Sequence, residues 1–220
     1  MEKNEKFRWN SYIENLSDFP EGKNTWEKEF IDSVLLNIPK AEISKILEVG
    51  CSNGRWLRWF SKEYKADVFG VDNESSGFRK NDIINFALGD AKDLPYDDNF
   101  FDLVFSMGLV EHFEKKDKYQ ILKEQSRVLK DNGYLICQVP YLGFCLNFIY
   151  MKYAYDWKKK TKHFRTTEKE LKNYFDKLGL KIILNKYTGC LLEGNLEKKI
   201  KKFKILNRLF ATEMLIIGQK

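Results

Sequence analysis

Apolar residues follow two spacings along the chain, one typical of helices and the other of short buried strands. Apolar positions three or four residues apart predict helices over residues 24–36, 56–64, 119–129, 167–178 and 196–210. Short apolar runs bounded by turn residues predict strands over residues 45–49, 67–71, 101–105, 134–139, 180–185 and 213–218. Strands separated by helices imply βαβ crossovers. We therefore predict an α/β fold with a doubly wound, mostly parallel sheet, helices on both faces and an antiparallel C-terminal edge strand.

Composition places the chain among globular proteins with one buried core. It has 220 residues, of which 43% are hydrophobic and 32% charged. The longest apolar stretch, residues 141–150, is far shorter than the roughly 20 residues that a membrane-spanning helix needs. No apolar signal-peptide core follows Met1, and the four cysteines show neither a CxxC pair nor a disulfide framework. These features predict a cytoplasmic protein in a reducing setting.

The turn after the first predicted strand carries candidate chemistry. It reads EVGCSNG over residues 48–54, so Gly50 and Gly54 allow a tight turn at the start of the next helix. In open α/β sheets an acidic residue about 20 positions further on binds ribose hydroxyls. Asp72 stands 22 residues after Gly50, at the end of the second predicted strand. The turn departs from the dinucleotide-binding GxGxxG motif, because the third glycine is absent and Glu48 precedes the turn.

These residues, with further motifs in the same order, resemble the class I S-adenosylmethionine-dependent methyltransferases, in particular the type 11 group. The resemblance covers about residues 45–179, and its motifs lie at residues 48–54, 72, 89–91, 94–104, 106–112 and 127–133. Two details depart from the usual pattern. Ser52 stands where the middle glycine is usual, and Asp131-Asn132 replaces a Pro-Gly pair, which is still good turn chemistry.

The resemblance implies a Rossmann-like, seven-stranded sheet and S-adenosyl-L-methionine as cofactor. It implies that Asp72 binds both ribose hydroxyls and that Asp90 accepts a hydrogen bond from the adenine amine. The cofactor-binding residues that we expect from it are Glu48, Gly50, Cys51, Ser52, Gly54, Asp72, Asn73, Asp90, Ala91, Ser106 and Met107. Met107 has an alternative role in core packing, and Asp90 could instead cap the segment that follows it.

On the acceptor side, His112 is the candidate catalytic residue. It follows the fourth predicted strand of the cofactor core and could accept a proton from a hydroxyl or phenol. Glu111 and His112 could instead stabilise the start of the next helix. A metal site with His163 is a further alternative, but only one carboxylate is evident there, so we expect no metal. We predict methyl transfer to a small or lipidic acceptor, at oxygen rather than nitrogen.

Residues 141–166 form an insertion after the strand at 134–139. Seven Tyr, Phe or Trp residues lie between Tyr141 and Trp157, and a run of lysines follows. We expect this insertion to be a lid that builds the acceptor pocket. Its layout is similar to that of quinone-pathway O-methyltransferases, which act on membrane-borne phenols. Aromatic residues beside lysines also suit an anionic membrane surface.

Charge is divided unevenly along the chain. Residues 1–150 hold 20 basic and 25 acidic residues, whereas residues 151–220 hold 18 basic and 7 acidic ones. The basic C-terminal third favours an anionic partner, either a membrane surface at the periphery of the cytoplasm or nucleic acid, of which we favour the former. Nucleic acid would make the chain an RNA-modifying methyltransferase or an RNA-binding protein. Solvated lysine-rich helix faces remain a further explanation.

We expect a single methyltransferase domain over residues 1–220. Within it, residues 1–44 are predicted to supply N-terminal helices, residues 45–140 the cofactor-binding core, residues 141–166 the insertion, and residues 167–220 the C-terminal helices and strands.

Overall fold

The computed structural model describes residues 20, 25–74, 83–141, 166–190 and 199–220. Its helices are α1 (Thr25–Asn37), α2 (Arg55–Tyr64), α3 (Lys115–Val128), α4 (Glu168–Lys177) and α5 (Lys204–Phe210), and short 3-10 turns span Lys40–Glu42 and Val110–His112. Its strands are β1 (Lys45–Val49), β2 (Asp67–Asp72), β3 (Asn85–Leu88), β4 (Phe101–Met107), β5 (Leu129–Pro140), β6 (Lys181–Thr188) and β7 (Glu213–Gln219).

The strands form one seven-stranded sheet in the order β3-β2-β1-β4-β5-β7-β6. Neighbours from β3 to β5 pair in parallel, and β7 pairs antiparallel with both β5 and β6. The predicted α/β fold and its antiparallel C-terminal pairing are confirmed. The C-terminal strand β7 itself lies one position inside the edge, which β6 occupies.

Side chains on successive strand positions enter two separate cores, one on each face of the sheet. Ile46 packs with Phe30 of α1 and Phe60 of α2, whereas its neighbour Leu47 packs with Leu122 of α3. The same alternation continues along β4, β5 and β7. Because both faces are covered, the strands are apolar on both sides, which is why they appear as continuous apolar runs in the sequence.

Two elements differ from the sequence-based expectation. The edge strand β3 was missed because it has only four residues, none of them buried, so it carries no apolar run. The helix predicted over residues 196–210 is interrupted at Phe203, whose backbone is extended (φ −110°, ψ 112°), and α5 begins only after it. Residues 191–198 and most of the predicted lid, residues 142–165, lie outside the described residues.

Helix α4 begins and ends where its sequence indicates. The Thr167 side chain accepts a hydrogen bond from the Glu170 N–H at 3.2 Å, which caps the first turn. At the other end Gly179 has φ +72°, the left-handed conformation that commonly ends a helix. Both ends of α4 are therefore defined, and with them the point at which the chain enters β6.

Candidate functional site

The carboxyl ends of β1, β2, β3 and β4 lie side by side, and the predicted cofactor residues follow these ends. The first of them is the turn between β1 and α2, in which Gly50, Ser52 and Gly54 all have positive φ (77°, 49° and 73°). The Gly50 N–H donates to the Val71 carbonyl oxygen at 2.8 Å. A Cβ atom on Gly50 would stand 2.9 Å from the Leu109 side chain, so a larger residue could not occupy this position without displacing Leu109.

Asp72 joins this turn to the end of β2. Its Oδ2 accepts a hydrogen bond from the Ser52 N–H at 2.8 Å, and its Oδ1 accepts one from the Glu74 N–H at 3.2 Å. Burial nevertheless raises the pKa of Asp72 above its ordinary value, although hydrogen bonds from backbone N–H groups, including that of Asn73, act in the opposite direction. Asn73 itself is exposed.

Glu48 lies beneath the turn and is almost completely buried. Its Oε2 has no hydrogen-bond partner among the described residues, and the Ser52 hydroxyl in the same turn has none either. Burial, followed by repulsion from Asp72, raises the pKa of Glu48 well above its ordinary value, while Arg55 and Arg58 lower it. A buried carboxyl group without a partner leaves an acceptor available to a cationic or hydrogen-donating ligand.

Cys51 contributes to the turn only through its backbone. Its side chain is buried in the core between the sheet and α2, where the glycine at position 70 leaves room for the Sγ atom. The next residue, Asn53, was not among the predicted site residues. Its Oδ1 accepts a hydrogen bond from the Arg55 N–H at 3.1 Å and so forms an Asx turn that leads into α2, a local pattern that an Asn two residues before a helix could have indicated.

The segment after β3 places Asp90 and Ala91 beside the Asp72 region. The Gly89 N–H donates to the Asp72 carbonyl oxygen at 3.0 Å, which ties the ends of β2 and β3 together. Asp90 is exposed, and its Oδ1 accepts a hydrogen bond from the Lys92 N–H at 2.9 Å. The Nζ atom of Lys92 lies 3.9 Å from the other carboxylate oxygen, so Asp90 organises this turn, and its contact with adenine stays a prediction.

At the end of β4, Ser106 and Met107 point to opposite faces of the sheet. Ser106 is fully buried, with its hydroxyl 3.5 Å from Gln125 Oε1 of α3. Met107 is half-buried and packs against the core on the α1 and α2 face. Leu109, two residues further, covers Gly50 and so brings the end of β4 against the cofactor turn.

The 3-10 turn Val110–His112 carries the acceptor-side candidates. The half-buried His112 donates its backbone N–H to the Leu109 carbonyl oxygen at 3.1 Å. Its neighbour Glu111 is buried, and burial raises the pKa of Glu111 to about 8. Its Oε2 accepts no hydrogen bond from the described residues.

A second acidic side chain, Glu213, begins β7 at the same edge of the sheet. Its carboxylate accepts a hydrogen bond from Gln138 Nε2 of β5. Burial, followed by the charge of Glu111, raises the pKa of Glu213 to about 8. Sequence reasoning missed Glu213, because it lies 102 residues after Glu111 and only the strand order brings the two together.

The described residues contain no cluster of three or more His, Cys, Asp or Glu side chains arranged to hold a metal ion. His163, the third member of the metal-site alternative, lies outside them, so the expectation of a metal-free site stays a prediction. Across the same part of the chain, no helix combines the length and the apolar character that a membrane span requires.

Comparison with known proteins identifies the same region as functional. Residues 47–137 match a family model described as a methyltransferase domain. Demethylmenaquinone methyltransferase from Staphylococcus saprophyticus is 28% identical over 208 residues, which cover 80% of this chain and 85% of that protein. The chloroplastic tocopherol O-methyltransferase of Arabidopsis thaliana is 32% identical over 105 residues, covering 43% of this chain and 30% of that protein.

Solved structures share the fold over nearly the whole chain. A S-adenosylmethionine-dependent methyltransferase from Archaeoglobus fulgidus superposes with a TM-score of 0.66 at 18% identity, covering 98% of this chain and 99% of that one. Phosphoethanolamine N-methyltransferase 2 of Haemonchus contortus, in complex with S-adenosyl-L-methionine, gives a TM-score of 0.68 at 17% identity. The match covers 97% of this chain and 56% of that one. Together these matches identify a methyltransferase domain within residues 47–137 and the fold of S-adenosylmethionine-dependent methyltransferases over nearly the whole chain, and they support S-adenosyl-L-methionine as the cofactor that the sequence predicts.

Proposed function

We propose that the enzyme methylates a hydroxyl oxygen of a small or lipid-like acceptor, such as a phenol or a reduced quinone. The observation that carries this proposal is the buried Glu111, whose unpartnered oxygen lies just after β4, beside the residue that covers the cofactor turn. A nearby proton acceptor suits a hydroxyl, which loses a proton when it is methylated. The name of one relative, a tocopherol O-methyltransferase, adds support for an oxygen acceptor, and that of another, a demethylmenaquinone methyltransferase, adds support only for a quinone-like acceptor molecule.

We propose that the turn at residues 50–54 and the acidic residues around it hold the cofactor. The unpartnered atoms Glu48 Oε2 and Ser52 Oγ fit a ligand that carries both positive charge and hydrogen-bond donors. In this assignment Asp72 binds the ribose and Asp90 the adenine amine. The backbone of the remaining predicted residues lines the site: Gly50, Cys51, Gly54, Asn73, Ala91, Ser106 and Met107. When bound, the cofactor supplies a methyl group on a positively charged sulfur, which is an excellent leaving group.

His112 remains our candidate for contact with the acceptor hydroxyl. It lies on the same short turn as Glu111, at the end of β4, and its imidazole can both donate and accept a hydrogen bond. Replacing His112 by Ala should raise the KM for the acceptor and lower kcat, with calorimetric affinity for S-adenosylhomocysteine unchanged. If the variant lost affinity for the cofactor and for the acceptor equally, His112 would stabilise the fold of the turn instead of contacting the acceptor.

We further propose that the surface around α5 meets an anionic membrane. Phe203 and Ile205 are 61% and 76% exposed, and the side chains of Lys199 and Lys202 are exposed nearby in the chain. Exposed apolar residues flanked by cations are typical of peripheral membrane contact. Sedimentation with anionic vesicles at low salt should pull down the wild type, and a Phe203→Ser/Ile205→Ser variant should stay in the supernatant. Leu36→Ser, at an exposed position of α1, is the matched control.

The alternative of an RNA acceptor is not favoured, because the curated relatives above are named for a quinone and a tocopherol. The same sedimentation experiment includes bulk RNA as a competitor. If RNA displaced the protein from vesicles, and if anionic vesicles bound the protein no better than neutral ones, the RNA alternative would be favoured instead.

We keep the proposal that the chain is one domain in which residues 141–166 act as a lid. The described ends of this segment support it, since Tyr141 and Thr166 both lie at the acceptor edge. The Tyr141 N–H donates to the Thr212 carbonyl oxygen next to Glu213, and Thr166 accepts a hydrogen bond from Lys118. Shortening the segment to a tight turn should abolish turnover and leave cofactor affinity intact. Loss of cofactor binding would show instead that the segment belongs to the core.

The function itself is tested with methyl-labelled S-adenosylmethionine and a panel of phenols, reduced quinones, fatty acids and primary amines. Mass spectrometry of the products identifies the methylated atom. Methylation at oxygen of a phenol or reduced quinone is the expected result, and exclusive methylation of amines would contradict it.

A further inference from the structure

One buried glutamate and one half-buried glutamate stand at the acceptor edge of the sheet without a role in cofactor binding. Glu111 lies in the 3-10 turn after β4, and Glu213 begins β7, where it pairs with Pro140 at the end of β5. Because β7 is antiparallel to its neighbours, its first residue lies at the edge where the parallel strands end. The strand order thus brings Glu213 to the side of the sheet that carries the cofactor turn.

Gln138 of β5 hydrogen-bonds to Glu213 and to the backbone of Gly108, which Glu111 approaches. The side-chain amide of Gln138 donates to Glu213, and the backbone carbonyl oxygen of Gln138 accepts a hydrogen bond from the Gly108 N–H at 3.0 Å. Glu111 Oε1 lies over the same Gly108, 3.5 Å from where a Cβ would stand. The two glutamates therefore flank one short stretch of backbone, close enough for the charge of Glu111 to act on Glu213.

Glu111 has the properties of a group kept ready for a ligand. Its side chain is only 5% exposed, and its Oε2 has no hydrogen-bond partner among the described residues. An unsatisfied buried acceptor costs about 1–3 kcal/mol, so it is expected where a ligand later supplies the partner. Glu213, in contrast, is held in place by Gln138.

The groups that face the two glutamates do little to stabilise their ionised forms. From α3, Lys118 lowers the pKa of Glu111, but its Nζ donates to Thr166 Oγ1 at 2.8 Å and lies 3.9 Å from Glu170 Oε1. From β5, Cys137 faces Glu111 as a thiol whose pKa is raised to about 12, mainly by burial. Burial therefore dominates for both groups, the charge of Glu111 adds to it for Glu213, and both glutamates have pKa values of about 8.

We propose that Glu111 and Glu213 form one proton-accepting site, which takes up the proton of the acceptor hydroxyl during methyl transfer. This inference rests on the proposed function. The acceptor oxygen forms a bond to the methyl carbon, the sulfur–methyl bond breaks with its electron pair going to sulfur, and the hydroxyl proton passes to the ionised carboxylate of the pair. The pair then returns this proton to water when product leaves.

A pair of carboxyl groups that share a proton is a better acceptor for the hydroxyl proton than an isolated carboxylate would be. A carboxylate with an ordinary pKa near 4.5 is a weak base, whereas one near 8 has a higher affinity for the proton at neutral pH. Two neighbouring carboxyl groups titrate as a coupled pair, so ionisation of one raises the pKa of the other. Turnover should therefore rise with pH through about 8, because the reactive form carries at least one ionised carboxylate.

The experiment titrates the full chain, labelled with 13C at the glutamate side-chain carboxyls, by NMR between acidic and alkaline pH. Apart from the signal of Glu48, whose pKa burial also raises, two carboxyl signals should titrate near pH 8 in the wild type, and Glu111→Gln should remove one and move the other to lower pH. Glu63→Gln, in an ion pair with Lys40 on the opposite edge, is the matched control and should change neither signal. Glutamine replaces a carboxyl that is protonated at neutral pH, so the variant should fold.

Kinetics completes the test with whichever hydroxyl acceptor the panel identifies. Glu111→Gln should lower kcat by about 100-fold or more and flatten the pH profile, with unchanged calorimetric affinity for S-adenosylhomocysteine. Titration of both glutamates in the ordinary range, or an unchanged pH profile in Glu111→Gln, would overturn the inference. Titration near pH 8 without turnover of any hydroxyl acceptor would instead overturn the proposed function and, with it, the role of the pair.

Discussion

The backbone N–H of Ser52 donates to the Asp72 carboxylate across 2.8 Å, so the cofactor turn and the end of β2 are held together before any ligand binds. The contact uses one carboxylate oxygen, and the Glu74 N–H approaches the other. Asp72 therefore has two tasks in our assignment, since it fixes the shape of the turn and presents its remaining lone pairs to the ribose.

Replacing Asp72 separates these tasks. Asp72→Asn keeps an oxygen for the Ser52 N–H but loses the charge, whereas Asp72→Ala loses both. Because a hydrogen bond to a charged group contributes about 1.5–3 kcal/mol, we expect calorimetry to show affinity for S-adenosylhomocysteine reduced at least about tenfold in both variants. Asp72→Ala should in addition lower the free energy of unfolding. Asp67→Ala, at the exposed start of β2, is the control, and unchanged affinity in Asp72→Ala would contradict the assignment.

Ser52 occupies a backbone conformation that favours glycine. Its φ is +49°, and its buried hydroxyl has no partner among the described residues. Left-handed conformation costs a non-glycine residue about 1 kcal/mol, so Ser52→Gly should raise the free energy of unfolding in urea by about that amount. Ser52→Ala keeps a side chain at this positive φ, so its free energy of unfolding should increase less. A destabilised Ser52→Gly variant would show that the serine side chain stabilises the turn.

The sequence was sufficient to predict the elements that have strong local patterns. Buried strands such as β1 and β4 are continuous apolar runs, and the glycine turn with Asp72 follows from spacing alone. The same reasoning could not find β3, because an edge strand of four residues without buried positions carries no apolar pattern. The interruption at Phe203 was also hidden, since both halves of that helix have the same basic and apolar character.

Contacts between distant segments were beyond local reasoning. Asp102 of β4 accepts hydrogen bonds from the Ser44 and Lys45 N–H groups and pairs with Lys130, which fixes the start of β1. The pairing of Glu111 with Glu213 depends on β7 inserting between β5 and β6. Neither contact has a signal in residue spacing, because each arises only from the strand order.

Arg127 connects α3 to the segment that follows Asp90. Its guanidinium donates to Glu124 and to the carbonyl oxygens of Leu94 and Tyr96, at 2.7–3.0 Å. Lysine cannot reproduce this forked geometry, so Arg127→Lys should leave backbone carbonyls unpaired and lower the free energy of unfolding by about 1–3 kcal/mol. Urea denaturation measures this, with the exposed Lys123→Ala as control. Equal stability would show that water replaces the guanidinium without cost.

Glu48 should couple cofactor binding to proton release. Its pKa is raised well above the ordinary value of 4.5, chiefly by burial and then by Asp72, so it is protonated over a wide pH range before the cofactor binds. A cationic ligand beside it favours the ionised form and lowers this pKa. Binding therefore releases a proton, and affinity should rise as pH increases from about 4.5 towards the raised pKa and level off above it.

Calorimetry of S-adenosylmethionine in buffers with different ionisation enthalpies measures this proton directly. The wild type should release a fraction of a proton that decreases as pH rises through the raised pKa of Glu48, because the carboxyl is already ionised before binding above that pKa. Glu48→Gln removes the titrating group but keeps the size of a neutral carboxyl, so its binding should be weaker and should lose most of its pH dependence. Some dependence should remain, because the pKa of Asp72 is also raised by burial. Glu63→Gln, remote from the turn, should retain the wild-type proton release. If Glu48→Gln released as much proton as the wild type, the cation would lie beside another group, and the unpartnered Glu48 oxygen would have a purely structural role.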